Sequence, residues 1–367
     1  MTYLIIILKK IIFTVINDLT YDQRMIRICD TLSKNGYEVE LVGRELPSSI
    51  SLQERGYQQT RLKCIFNQGK LFYLEYNLRL IFYLLDKKLD IISGVDTDTL
   101  FATYVSSKIL GKPLVYDAHE YFTEVEEVVN RPVVKSIWQM LESLIIPNLK
   151  YTYTVSSGLV DLFKKNYNTD FELIRNVPVL KELKQKENTE KYIIYHGAVN
   201  VGRGLEEMIE AMQFIDCKFY ICGHGDLYDE LLNLPEKHFV QEKVKFFGFT
   251  EPEKLEGLIA NAMIGVNLLK SKGLSYYHSL ANKFFDYIQH GIPQVTVNYP
   301  EYQVVNSNYE VAKLVDIKIE EIVDAINTLL NDETHYNKLK ESCMEARKEY
   351  YWQNEEEKLL DIYGRVN

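Results

Sequence analysis

Short apolar runs ending in polar residues, each followed by a longer stretch with helical spacing, recur along the chain and restrict the fold more than any other feature. Ile11–Asn17 reads as a strand, and Tyr21–Lys34 as a helix with Met25, Ile28 and Leu32 near helical spacing and Asn35-Gly36 to stop it. Tyr37–Val42 is the next strand. A helix near Phe72–Asp86, the strand Asp90–Ser93, a helix Thr97–Leu110 and the strand Pro113–Asp117 continue the pattern. A long helix near Val133–Leu149 and the strand Tyr151–Val155 follow, and Ser156-Ser157 is expected to cap the helix after them. Strand, helix, strand is how a parallel sheet is wound.

Lys181–Lys191 has seven charged residues in eleven and no apolar periodicity, so it reads as a linker. Beyond it the alternation restarts with strands at Tyr192–His196, Lys218–Cys222, Val244–Phe247, Ile264–Leu268 and Gln294–Val297. Glu320–Tyr363 reads as helical. Two doubly wound α/β domains are expected, at residues 1–185 and 190–340, with helices over 341–367 packing back on the first domain. A chain of 367 residues is comfortable for two domains.

Charge and cysteine usage narrow the partners. A net charge of -10 argues against a dedicated nucleic-acid binder, which needs a basic face. The five cysteines (Cys29, Cys64, Cys217, Cys222 and Cys343) are scattered and mostly set in apolar runs, so they read as buried thiols of a reducing compartment. Residues 1–9 read as an extra leader before the first core strand, because seven apolar residues cannot span a bilayer. The expected location is cytoplasmic. Peripheral contact at the inner membrane stays open, since the helix around Val134–Leu149 carries Ile137, Trp138, Leu141, Leu144 and Ile145 near one face. Such a face is more often core.

In an open parallel sheet, ligands sit beyond the carboxyl ends of the strands. The polar strand ends are Asn17-Asp18, Asp96, Asp117-Ala118-His119-Glu120, His196-Gly197 and Gly223-His224-Gly225, to which the loop Lys270–Lys283 adds. Two facing sheets would gather these into one cleft. His119 and a carboxylate beside it can orient a hydroxyl or move a proton, though Asp117 can equally cap the next element and His119 simply pack. The run from Tyr195 to Gly204 has glycines that let backbone approach a phosphate, and Arg203 can bind one through two parallel hydrogen bonds. An ordinary strand-to-helix turn accounts for it as well. Gly223-His224-Gly225 is either a tight turn or a nucleotide contact. The most informative run is His278 to Tyr287: Lys283 in the first turn of a helix suits a diphosphate, and Asp286 one turn on suits ribose hydroxyls. In Asp96-Thr97-Asp98, Asp96 or Thr97 is expected to cap a helix, and no metal is expected.

Together these residues resemble the retaining glycosyltransferases of family four, which have the GT-B fold of two facing Rossmann-like domains. The resemblance rests on Asp22 and Arg24, Tyr116 to Glu120, Val155-Ser156 with Asn176-Val177-Pro178, Arg203-Gly204, and Asn282-Lys283 followed by Asp286-Tyr287. Trp352, Leu359, Leu360 and Tyr363 complete it. It implies that the second domain binds a nucleotide diphosphate sugar and that the first presents a glycan or lipid-linked acceptor. Arg203 and Lys283 would then neutralise the leaving diphosphate, Asp286 would bind ribose, and His119 would lie against the donor sugar. Gly197, Gly223, His278 and Asn282 would line the donor side, and Asp22, Arg24, Asp96 and Glu120 the acceptor side. No cofactor or metal is implied. The chain departs from the family pattern in His278 where a glutamate is usual, in Asp286 in place of glutamate, and in Ala198 where a basic residue is common. A silent sugar-nucleotide-binding partner subunit and a sugar-nucleotide 2-epimerase of the same fold are the alternatives. A nicotinamide dehydrogenase is disfavoured, because the first strand ends without a glycine fingerprint.

Overall fold

A computed structural model describes residues 8–183, 190–271 and 273–366. Most of the expected leader and the middle of the expected linker lie outside these residues. The chain divides into two compact units, one of residues 1–175 with 355–367, the other of residues 176–354.

The first unit is built on a parallel sheet of seven strands: β1 (Lys9–Thr14), β2 (Tyr37–Glu45), β3 (Gln58–Lys63), β4 (Ile91–Val95), β5 (Leu114–Ala118), β6 (Tyr151–Thr154) and β7 (Glu172–Leu173). Their order is β3-β2-β1-β4-β5-β6-β7. The order reverses between β1 and β4, which opens a crevice at their carboxyl ends. Lys9, expected in the leader, belongs to β1 with Lys10. The Lys10 backbone N–H donates to Asp90 at 3.0 Å and its ammonium to Glu38 at 2.8 Å. Phe72, Tyr76, Leu80 and Leu84 recur at helical spacing on the helix Gly69–Leu85 and pack with Ile12, Val42 and Ile92 of the sheet. Ser156 caps the helix Ser157–Tyr167 as expected, accepting from the Leu159 N–H.

The second unit carries a parallel sheet of six strands: β8 (Tyr192–His196), β9 (Lys218–Cys222), β10 (Val244–Gly248), β11 (Ile264–Asn267), β12 (Gln294–Val297) and β13 (Ala312–Val315). The order is β10-β9-β8-β11-β12-β13, with its switch point between β8 and β11. Ile193, Phe219, Ile221, Ile264 and Val266 pack with the helices Leu205–Ala211 and Ile319–Asn331. Tyr192, Ile194 and Tyr220 join a separate cluster with Tyr287 and Ile292.

The division by contacts differs from the sequence-based boundaries. Val177 packs with Phe284, Phe285 and Ile288, so the segment after Arg175 goes with the second unit. Cys343, Ala346 and Tyr350 join the same cluster, so the helix Glu333–Ala346 goes with the second unit. Only residues 355–367 return to the first unit. In that segment Tyr363 is buried, its hydroxyl 2.8 Å from Ser93 Oγ, and Glu355 accepts from the Arg175 backbone at 3.0 Å.

Candidate functional site

In the first unit, β5 ends in a buried charge relay. Arg24, on the helix Gln23–Lys34, sends Nη2 to Asp117 Oδ1 at 3.0 Å and Nε to Oδ2 at 3.2 Å, and its Nη1 donates to the Ile174 carbonyl. Both side chains are almost wholly buried. Burial favours the neutral acid, but Arg24 and His119 outweigh it and hold the Asp117 carboxyl below its usual range. Asp117 Oδ2 also lies 2.8 Å from His119 Nε2. Burial works against a charge on the His119 ring, yet Asp117 and Asp96 overcome it and push its pKa up to about 9. His119 is therefore an imidazolium at neutral pH.

Asp96 closes the other side of this histidine. Its Oδ1 accepts the His119 backbone N–H at 2.8 Å, and its Oδ2 lies 3.7 Å from Nδ1. Asp96 was expected, with Thr97 as the other choice, to cap the helix Asp96–Leu110. Neither does so. The residue before the helix is Val95, without a side-chain cap, and the Thr97 hydroxyl turns to buried Glu142 at 2.7 Å. Asp96 sits at φ 55, a conformation that L-residues adopt at a cost and that aims its carboxylate at His119. Two residues expected on the acceptor side make contacts within the first unit. Arg24 is enclosed around Asp117 and positions that carboxylate. Asp22 caps its own helix, accepting from the Met25 N–H at 3.0 Å and from Asn17 at 2.7 Å. Glu120 remains exposed at the end of β5.

The second unit assembles a cationic pocket over two glycine turns. After β8, Gly197 has φ 122 and hydrogen-bonds the Cys222 carbonyl. After β9, Gly223 has φ 149, and a Cβ there would stand 1.8 Å from the Gly197 carbonyl oxygen. Only glycine permits this contact. Lys283, in the first turn of the helix Asn282–Gln289, reaches over Gly197: a Cβ on Gly197 would lie 3.6 Å from its Nζ. Among the described residues the Lys283 ammonium has no ion pair, and it lies 4.7 Å from the Tyr195 ring centroid. Burial first, then nearby Arg203, lower its pKa to about 7 against the opposing pull of Asp286. Arg203 stacks over Tyr276 at 5.5 Å, and its buried Nε has no hydrogen-bond partner among the described residues.

His196, at the end of β8, was read from the sequence as a polar strand end but given no role of its own. Burial, with Lys283 and His290, drives its pKa down to about 3. Its approach to Asp286 at 3.6 Å is therefore no ion pair, and it is too long for a hydrogen bond. The strand-end position was the available signal. Asp286 and Lys283 occupy the first turns of the same helix, as expected. Asn282 opens that helix and is exposed. His278 follows the short helix Leu274–Tyr277 and packs its ring edge-on to Tyr277.

Residues 23–178 match the family described as Glycosyltransferase Family 4, and residues 178–347 match Glycosyl transferases group 1. The chain belongs to glycosyltransferase family 4. No curated protein matches this glycosyltransferase. Solved structures share its fold. Sucrose-phosphate synthase from Thermosynechococcus elongatus superposes with a TM-score of 0.81 at 16% identity, over 97% of this chain and 98% of that one. HepE from Anabaena, in complex with UDP-glucose, gives 0.72 at 12% identity over 97% and 100%. WaaG, a glycosyltransferase involved in lipopolysaccharide biosynthesis, gives 0.69 at 15% identity over 96% and 100%. These likenesses agree with the GT-B architecture of two parallel sheets. Among the described residues of the glycosyltransferase, no helix is long and apolar enough to cross a membrane.

Proposed function

We propose that the glycosyltransferase moves a sugar, with retention of configuration, from a nucleoside diphosphate donor to a glycan or lipid-linked glycan acceptor. The observation that carries this reading is a pair of cationic side chains, Lys283 and Arg203, that form no ion pair among the described residues and lie beside a glycine cradle at a sheet switch point. A diphosphate supplies the missing charge. The cradle brings backbone close, and the opening turn of the helix Asn282–Gln289 adds partial positive charge. HepE, of like fold, is described in complex with UDP-glucose, which agrees with this occupant.

In the transfer, the bond between the anomeric carbon and the phosphate oxygen breaks as the acceptor oxygen bonds that carbon from the same face. The acceptor proton passes to the departing phosphate. Lys283 and Arg203 stabilise the charge that grows there, so that a metal is not required. Asp286 takes the ribose hydroxyls. His119, as an imidazolium, serves the sugar as a hydrogen-bond donor and positive charge, since a protonated ring cannot act as a base.

The test is a thermal-shift panel of UDP-, GDP-, ADP- and dTDP-sugars with chelator present, repeated on Lys283→Ala and Arg203→Ala. Stabilisation by one base, lost in both variants, is expected. Equal shifts in the variants overturn the site. Binding without turnover favours the silent partner subunit. The anomeric configuration of the product, read by NMR, decides retention.

A further inference from the structure

A carboxyl group is buried in the first unit without a cation. Glu142, on the helix Pro132–Ile145, is wholly enclosed and forms no ion pair among the described residues. Three hydroxyls hold it instead. Thr97 donates to Oε1 at 2.7 Å, Tyr167 donates to Oε2 at 2.6 Å, and Thr123 supplies a third hydrogen bond. Burial raises the pKa of this acid against the pull of the three hydroxyls. An apolar side chain of similar size would fill the space without desolvating a carboxyl group.

The partners show what Glu142 joins. Thr97 follows Asp96 in the first turn of the helix Asp96–Leu110, directly after β4. Thr123 lies on the short turn Phe122–Glu124, which follows His119 beyond β5. Because the Thr97 proton is committed to Glu142, the Tyr116 hydroxyl donates in turn to Thr97, at 3.1 Å. Tyr116 belongs to β5 and precedes His119. The segment that carries His119 is therefore tied to Glu142 twice, through Tyr116 and Thr97 ahead of the ring and through Thr123 behind it.

The strained residue of the site lies between these ties. Asp96 keeps its left-handed φ of 55 only while its surroundings over-determine it. Its carboxylate reaches the His119 backbone at 2.8 Å and Nδ1 at 3.7 Å. If the turn relaxes, this attraction weakens with distance.

We propose that Glu142 is a positioning residue of the glycosyltransferase: by clamping Thr97 and Thr123 together, it holds the turn at Asp96 against the His119 segment and keeps the second carboxylate on the imidazole ring. The proposal rests on the reading of His119 as the group that serves the donor sugar, but the clamp is testable without substrate.

The test is the titration of His119, followed by NMR on the free full-length protein. Glu142→Leu and Thr97→Val release the turn, and each should lower the His119 pKa from about 9 by about 1 or more. Glu142→Gln, whose amide oxygen still accepts from Thr97, should leave it in place. So should Tyr167→Phe, which takes a different hydrogen bond from Glu142. On an Asp96→Asn background, Glu142→Leu should cause no further fall, because the carboxylate it positions is already gone. Urea midpoints verify folding, and Thr97→Val carries the test where Glu142→Leu does not fold. A ring that titrates alike in the parent and in Thr97→Val, an equal fall in Tyr167→Phe, or a further fall in the double variant overturns the proposal and leaves Glu142 a structural residue only. With the donor base named by the thermal-shift panel, Thr97→Val should lower kcat about tenfold at unchanged donor KM. A parent without turnover overturns the functional reading while the titration still decides the clamp.

Discussion

Arg24 grips Asp117 through two parallel hydrogen bonds, of 3.0 and 3.2 Å, although 93 residues separate them in the chain. The pair is closed from water, and its one further polar partner of functional interest is the His119 ring. Arg24→Ala leaves a buried carboxylate without its cation. The expected loss is about 3–5 kcal/mol, read as a lower urea midpoint.

Asp117→Asn separates charge from structure at the same place. The amide keeps the size of the side chain and removes one of the two carboxylates that hold His119 protonated. The His119 pKa, followed by NMR, should fall from about 9 towards its ordinary value of about 6.5. A ring that still titrates near 9 would assign the effect to Asp96. The stability that His119 contributes in the parent is fully present below its unfolded pKa and is lost as pH rises through about 9.

Lys283 titrates with the opposite sign. Its folded pKa near 7 lies below its unfolded value, so between these the free protein holds the lysine partly neutral. A bound diphosphate favours the charged ammonium and raises the pKa. Binding above pH 7 should therefore take up protons, and affinity should fall as pH rises. Calorimetry in buffers of different ionisation enthalpy measures the uptake directly. Lys283→Ala should abolish it and cost about 10- to 100-fold in affinity.

Gly223→Ala tests the cradle. The new methyl would meet the Gly197 carbonyl at 1.8 Å, in a backbone region that L-residues avoid, so the two turns must separate. Loss of nucleotide-induced stabilisation is expected. The substitution at Gly257, where a Cβ meets nothing within 4 Å, serves as the neutral control.

The second sheet was legible where its strands are covered on both faces. Tyr192–His196, Lys218–Cys222 and Gln294–Val297 keep the same limits in sequence and structure, because buried parallel strands read as short apolar runs. The strands β3, β7 and β13 were not read. Each is the last in its sheet, and Gln58–Lys63 is too polar to stand out. The candidate site follows the same logic. Strand-end glycines, His119 and Lys283 announce themselves by position along the chain. The Arg24–Asp117 grip, the Asp96 turn towards His119 and the neutral state of His196 arise from long-range packing, which spacing does not encode.

The return of residues 355–367 to the first unit sets an order on the birth of the molecule. A ribosome delivers residues 176–354 before the segment that buries Tyr363 against Ser93 and seats Glu355 on Arg175. The half that is synthesised first is thus the last to be finished, and during translation it waits, with part of its core open, while its neighbour already has its full sequence.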